Sequence, residues 1–165
     1  ELAAQPEHKP YVEALTCLKG VEVENAMLAR VEIGDFSRFG SGRKVSCWLG
    51  TVPSDGSSGE SGKHGKATKA GDKYLRRALV EGYSGVATWK SGKKEVPAGT
   101  STSAACQSIA ARANERLYGR YEHLARERHK NANKAKVAVV SELVRWIWVI
   151  GLQVQEERQG KGSAA

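Results

Sequence analysis

The chain has 165 residues, of which 40% are hydrophobic and 27% are charged, a composition typical of a single soluble globular domain. Its 26 Lys and Arg residues outnumber 18 Asp and Glu, and the net charge of +8 favours an anionic partner, with nucleic acid before a membrane surface. The three cysteines, Cys17, Cys47 and Cys106, form no CxxC pair, which argues against a disulfide framework and a zinc site and favours buried thiols in a reducing cytoplasm.

The first third of the chain predicts a flexible segment and three short helices. Residues 1–9 lack a long apolar run, so we expect a flexible N-terminal segment and no signal peptide. Apolar residues at helical spacing predict helices over residues 10–19 and 22–33, and Ser41 is placed to cap a third helix that contains Trp48. The second helix is predicted to turn four side chains inward: Val23, Ala26, Met27 and Val31.

A Ser/Gly-rich stretch separates these helices from a fourth. Residues 50–66 contain no apolar side chain besides Val52, so we predict a loop that contributes little to the core. A helix is predicted to begin near Asp72, because apolar residues then recur at steps of three and four. Its predicted inward stripe consists of Tyr74, Leu75, Ala78, Leu79, Tyr83 and Val86.

Two long helices are predicted after a second loop. The first covers residues 103–130 and the second residues 133–153. The second is apolar nearly all round, which is typical of a buried central helix. Glu142 and Arg145 in its middle argue against a membrane span, because charged side chains are costly in lipid.

The predicted fold is all-α, because no stretch shows the alternation of a strand. We expect about six helices packed around the apolar C-terminal helix, with the Ser/Gly-rich loop between helices. They form one domain over residues 10–153, and the polar residues 154–165 are expected to be a disordered tail. The predicted core includes Val140, Leu143, Val144, Ile147 and Ile150, together with Leu75, Leu79, Leu117 and Leu124.

Basic residues are concentrated beside the Ser/Gly-rich loop. Between residues 63 and 94, nine Lys and Arg residues accompany only two acidic residues, Asp72 and Glu81. Such a block predicts contact with nucleic-acid phosphates, because Lys and Arg neutralise phosphates and release counterions. The alternative is a solvated helix face. The nine residues are Lys63, Lys66, Lys69, Lys73, Arg76, Arg77, Lys90, Lys93 and Lys94.

The loop also offers a hydroxyl beside these cations. The stretch "GSSG", residues 56–59, places two serines between glycines, whose backbone N–H groups can approach a phosphate closely. Its spacing does not match the GxxxxGK[ST] phosphate loop, so nucleotide hydrolysis is not indicated. Two interpretations stay open from the residues: a flexible linker, or a serine that attacks a phosphodiester with help from nearby cations.

A series of motifs carries a family resemblance. In order along the chain they are "EIGDFSRF" (32–39), "RK" (43–44), "WLGTVPS" (48–54), "SSG" (57–59), "TKAGDKYLRRALVEG" (68–82) and "NKAKVAVVSELVRWIWVI" (133–150). Their order and spacing resemble the C-terminal domain of bacterial insertion-sequence transposases related to the Piv DNA invertase. These are DEDD-type, bridge-RNA-guided recombinases of the insertion-sequence one-ten group. The resemblance covers roughly residues 14–152.

This resemblance implies a DNA recombinase with a serine nucleophile, which becomes covalently linked to DNA through a phosphoserine. Carried onto this sequence, the nucleophile falls on Ser57 or Ser58. The family also implies a RuvC-like domain that holds Mg²⁺ with four acidic residues, a composite site built by two subunits, and a structured guide RNA. The expected nucleic-acid contacts of this chain are Lys63, Lys66, Lys69, Lys73, Arg76 and Arg77.

The chain departs from the family pattern at several points. No RuvC-like segment occurs in the 165 residues, residues 18–25 keep only Gly20 of a Gly-rich turn, and Ala67 replaces the Ile of an Ile-Thr-Lys motif. We therefore expect a truncated or degenerate copy that binds nucleic acid, binds no cofactor itself and needs a RuvC-like domain and Mg²⁺ to cut. The alternative function is a non-catalytic nucleic-acid-binding helical domain. We expect a bacterial cytoplasmic location at the nucleoid, a possible homo-oligomer and no membrane partner.

Overall fold

A computed structural model describes residues 1–52, 71–85, 94 and 99–162, and in this part of the chain the regular structure is entirely helical. The all-α prediction is confirmed, and so is the placement of the Ser/Gly-rich loop between two helices. Ser41 caps the third helix as predicted, by accepting a hydrogen bond from the Lys44 N–H. The helices are α1 (Lys9–Leu15), α2 (Val23–Ile33), α3 (Gly42–Leu49), α4 (Lys73–Gly82), α5 (Ala104–Glu122) and α6 (Ala132–Gly162).

Helix α6 is the central helix, as its apolar sequence predicts. It packs against α1, α3, α4 and α5. Gly151 lets it approach a 3₁₀ turn before α3, because a Cβ atom at this position would lie 2.1 Å from the Phe36 ring. The segment Ala132–Gly160 has the length and hydropathy of a membrane-spanning helix, yet 56% of its most apolar stretch is buried within the bundle. The predicted core residues of α6 are all buried: Val140, Leu143, Val144, Ile147 and Ile150.

The C-terminal end of α6 differs from the prediction. The helix was predicted to end at Gln153, but it continues to Gly162. Val154 is buried, and the Glu157 carboxylate accepts a hydrogen bond from the Ser103 hydroxyl at 2.8 Å. These contacts to the rest of the bundle stabilise helical turns that polar composition alone does not predict.

Helix α5 is shorter than predicted. It ends at Glu122 and continues as a π-helical turn over His123–Glu127. A π-helical turn contains one more residue than an α-helical turn, and here both Leu124 and Ala125 pack partly buried against the core. The prediction of one continuous α-helix over residues 103–130 is therefore wrong, and Leu124 is less buried than expected.

Helix α2 buries its predicted stripe only in part, since Ala26 is buried and Met27 packs partly buried against the core. Ala26, Ala29 and Ile33 are buried, whereas Val23 and Val31 are 50% and 55% exposed. Alanines allow the close approach of α1 and α4, which both pack against α2. The inward placement of Val23 and Val31 is therefore wrong, because Ala26, Ala29 and Ile33 occupy the buried face of α2.

The three cysteines have different environments. Cys17 and Cys106 are buried, as predicted, but Cys47 is exposed on α3. Burial raises the pKa of the Cys17 and Cys106 thiols, and the reactive species is the thiolate.

We expect iodoacetamide to alkylate Cys47 alone in the native protein and all three cysteines in denaturant, as read by peptide mass spectrometry. Alkylation of Cys17 in the native protein as fast as Cys47 would contradict this packing.

Candidate nucleic-acid interface

Helix α4 begins directly after the Ser/Gly-rich loop and carries the central part of the basic block. Asp72 caps it by accepting a hydrogen bond from the Leu75 N–H. Leu75 and Leu79 are buried, as predicted, and their burial fixes the side of α4 that faces the core. Lys73 and Arg77 are consequently exposed to solvent.

Tyr74 belongs to this exposed side, although the sequence predicted it to face inward. Its side chain is 64% exposed, and the Lys73 ammonium lies 5.0 Å from the centre of its ring. Tyr74 precedes Leu75 by one residue and so points about 100° away from the buried stripe. An exposed aromatic ring beside a cation is a suitable surface for a nucleic-acid base.

The two ends of the segment 53–70 are held at one place. After α3, the Thr51 N–H and hydroxyl donate to the Ser46 carbonyl at 3.0 and 3.1 Å. Before α4, Gly71 has φ +76°, and a Cβ atom there would lie 2.0 Å from the Trp48 carbonyl oxygen. The C-terminal end of α3 therefore meets the N-terminal end of α4, a region that we call the α3–α4 junction.

Arg76 contributes to this junction. Its Nη1 donates to the Leu49 carbonyl oxygen at 2.9 Å, at the C-terminal end of α3. An arginine is favourable at this position because the last carbonyls of a helix lack intrahelical donors and carry partial negative charge. Arg76 thus supports the position of α4, a role that the charge pattern did not predict.

Arg77 and Lys94 have acidic partners. The Arg77 Nε lies 2.7 Å from a Glu81 carboxylate oxygen, and both side chains are exposed. Solvent screens an exposed pair of this kind, so it contributes little to stability and a phosphate can replace Glu81 at little cost. The Lys94 ammonium lies 3.0 Å from Glu22 and donates to the Val21 carbonyl at 3.1 Å, which ties Lys94 to the turn between α1 and α2.

Most of the predicted site lies outside the part of the chain that the structure describes. These residues are the candidate nucleophiles Ser57 and Ser58, the predicted contacts Lys63, Lys66 and Lys69, and the block residues Lys90 and Lys93. The structure places the other three predicted contacts together on the first turns of α4: Lys73, Arg76 and Arg77. Sequence reasoning missed the roles of Gly71 and Tyr74 beside them. A glycine directly before a capping Asp was the available signal for the first.

Comparisons with known proteins match this part of the chain. The family model "Transposase IS116/IS110/IS902 family" matches residues 12–96, which are 85 of the 165 residues. "Putative transposase y4qE" of Sinorhizobium fredii (strain NBRC 101917 / NGR234) is 33% identical over 149 residues, which cover 87% of this chain and 37% of that protein. The "Probable family 20 transposase" of Pseudomonas aeruginosa is 32% identical over 71 residues, 43% of this chain and 21% of that protein. The chain thus spans little more than a third of the first relative and less of the second. No solved structure matches it.

Proposed function

Because the chain belongs to the IS116/IS110/IS902 family of transposases, we propose that it supplies the DNA-binding and serine-nucleophile part of an insertion-sequence recombinase. The observation that carries this proposal is the extent of the family match. It runs over residues 12–96 and therefore includes the "GSSG" stretch and α4 in one segment.

The α3–α4 junction supports the same proposal. Ser57 and Ser58 follow Val52 by only five and six residues, and an extended chain spans at most about 3.6 Å per residue. Chain length alone therefore keeps the Cα atoms of the two serines within roughly 22 Å of Val52, which follows the C-terminal end of α3. At that junction α4 begins, and the exposed cations Lys73 and Arg77 on its first turns favour an anion.

The proposed step is a phosphoryl transfer to serine. The hydroxyl oxygen of Ser57 or Ser58 gives up its proton and attacks a backbone phosphorus, the P–O bond to one deoxyribose breaks, and the leaving oxygen takes up a proton. Serine is a weak nucleophile at neutral pH and needs activation. Lys and Arg side chains that hold the phosphate stabilise the negative charge that develops on it.

Metal chemistry is assigned to another domain in this proposal. Within residues 1–52, 71–85, 94 and 99–162, no three His, Cys, Asp or Glu side chains gather as a metal site requires. We derive no metal-dependent step from these residues. A RuvC-like domain, in the same polypeptide or another, would hold Mg²⁺ and supply activation of the reacting oxygens.

The proposed partners follow from this chemistry. DNA is the substrate, a structured guide RNA and a second subunit complete the assembly, and the protein acts in the cytoplasm at the nucleoid. The chain without a RuvC-like domain is proposed to bind nucleic acid without cutting it.

Trapping a covalent intermediate tests the proposal. The chain, joined to a RuvC-like domain and given Mg²⁺ and a nicked suicide DNA, is expected to form an adduct that survives denaturant. Mass spectrometry of the loop peptide should place the link on Ser57 or Ser58. The double variant Ser57→Ala/Ser58→Ala is expected to form none, whereas Ser54→Ala in the same segment should form as much as the parent. An adduct that persists in the double variant would remove these serines from the mechanism and leave a nucleic-acid-binding module.

A further inference from the structure

A second basic surface lies across α3, α5 and α6 and includes no residue of α4. On α5, Arg112, Arg116 and Arg120 recur at four-residue steps and are all exposed. Arg116 and Arg120 line a groove of about 370 Å³ together with Arg145 of α6. Four residues make about one turn of an α-helix, so the three arginines of α5 lie on one face.

Helix α3 brings two further cations to the same surface. A Cβ atom at Gly42 would lie 3.0 Å from the Cβ atom of Arg145, so the first turn of α3 touches α6 at this arginine. The Ser46 hydroxyl donates to the Ser141 carbonyl at 2.9 Å and holds the two helices in this position. We call the combined region the α3–α5–α6 surface. Its cations are Arg43, Lys44, Arg112, Arg116, Arg120 and Arg145.

Acidic residues balance this surface only in part. Glu142 is bound by both Arg116 and Arg120, the second at 3.2 Å, and its side chain is only 12% exposed. Two guanidinium groups that share one carboxylate have a net charge of +1, and the carboxylate fixes the position of both groups at the groove. Arg112 and Arg145 form no ion pair with any acidic residue that the structure describes. Glu115 also lies beside the arginines of α5.

The position of Arg43 and Lys44 points to an anion. Both lie in the first turn of α3, which contains no acidic residue. The N-terminal end of a helix carries partial positive charge, so cations there oppose the helix dipole. Residues that break a local rule of stability without a visible compensation are a mark of function, and a bound phosphate would compensate here.

We propose that the α3–α5–α6 surface binds the phosphate backbone of duplex DNA, as a second contact region besides α4. This inference rests on the proposed function, from which the choice of DNA follows. The arginines of α5 extend over about 12 Å along the helix, the axial length of roughly three to four phosphates on one DNA strand. Arg43 and Lys44 lie at one end of α3 and the α3–α4 junction at the other, so the two regions together lengthen the contact with one duplex.

Salt-dependent binding of the 165-residue chain to a 30-base-pair duplex, read by fluorescence anisotropy, tests this inference. The variant Arg112→Ala/Arg145→Ala removes two cations that pair with none of the described acidic residues. It is expected to fold like the parent, by circular dichroism, and to lower the slope of log affinity against log salt by about 1.8, which corresponds to two lost phosphate contacts. The control Arg158→Ala/Lys9→Ala removes one charge about 20 Å along α6 from Arg145 and one at the start of α1, next to the Glu7 carbonyl that Arg158 contacts, and should leave the slope unchanged.

A substitution of opposite sign provides an independent check. Glu142→Gln keeps the shape of the side chain and removes its charge, so it is expected to tighten DNA binding severalfold. An unchanged or weakened affinity would contradict the inference, because it would mean that the arginines serve only their contact with Glu142.

The comparison with α4 separates the two proposals. If Lys73→Ala/Arg77→Ala lowers the slope while Arg112→Ala/Arg145→Ala does not, the second surface is overturned and the proposed function stands. A lower slope for both variants supports both. If Arg112→Ala/Arg145→Ala binds a structured RNA hairpin less tightly than the parent but binds the duplex equally well, the assignment of this surface to DNA is overturned.

Discussion

We expect Leu143→Ala to lower the free energy of unfolding by about 2–5 kcal/mol, the usual range for a buried leucine. Leu143 is fully buried in the middle of α6, the helix against which α1, α3, α4 and α5 pack. The substitution removes apolar contacts and leaves a cavity that four helices cannot easily collapse into. For a chain of this size, the melting temperature should fall by roughly 4–20 °C, as measured by circular dichroism or calorimetry.

Two control variants test whether burial is the cause. Leu2→Ala removes the same atoms from a side chain that is 61% exposed, and Lys134→Ala changes an exposed residue near the beginning of α6. The free energy of unfolding of both variants is expected to lie within about 0.5 kcal/mol of the parent value, as is usual for surface substitutions. A Leu143→Ala variant as stable as these two would show that α6 is not the centre of the core.

The family match and the core do not coincide. The match ends at residue 96, but α6 packs against α1 and α3 within the matched part. On α5, Asn114 accepts a hydrogen bond from the Lys19 N–H at 2.8 Å and donates to the Cys17 carbonyl at 2.9 Å. The helices before residue 96 therefore depend on α5 and α6 for their core, and the chain folds as one unit across the end of the match.

The sequence predicted most where long apolar stripes decide the fold. Leu75, Leu79 and the predicted core positions of α6 recur at helical spacing and are buried, because a helix that is apolar on most sides has few alternatives to the core. It predicted least where small residues or distant contacts decide. The alanines of α2 form an interface without a strong apolar signal, and the last turns of α6 depend on a contact from Glu157 to Ser103, 54 positions earlier.

The charge pattern located the candidate interface but not the partners of each charge. Counting Lys and Arg selected Arg76, Arg77 and Lys94 together. Arg76, however, binds a carbonyl at the α3–α4 junction, and Lys94 binds a carbonyl in the turn between α1 and α2. Such contacts join residues that are 27 and 73 positions apart, and no local pattern encodes them. For the same reason the α3–α5–α6 surface was not apparent, since its cations come from three separate helices.

Gly71→Ala is expected to destabilise the protein by about 2–5 kcal/mol. Alanine in the left-handed region costs roughly 1–2 kcal/mol, and Gly71 has φ +76°. Its Cβ atom would also lie 2.0 Å from the Trp48 carbonyl oxygen, so α4 must shift away from α3, at a cost of about 1–3 kcal/mol for overpacking. The melting temperature measures the sum.

Gly99→Ala separates these two costs and relates them to function. Gly99 has φ +82°, but a Cβ atom there meets no atom of the described part of the chain within 4 Å, so this variant should show only the cost of the backbone conformation. If the two variants lose the same stability, the α3–α4 junction is not closely packed at Gly71.

Under the proposed function, a shift of α4 moves Lys73 and Arg77 relative to the loop serines. We therefore expect Gly71→Ala, and not Gly99→Ala, to lower the yield of the covalent DNA adduct at a temperature where both variants are folded.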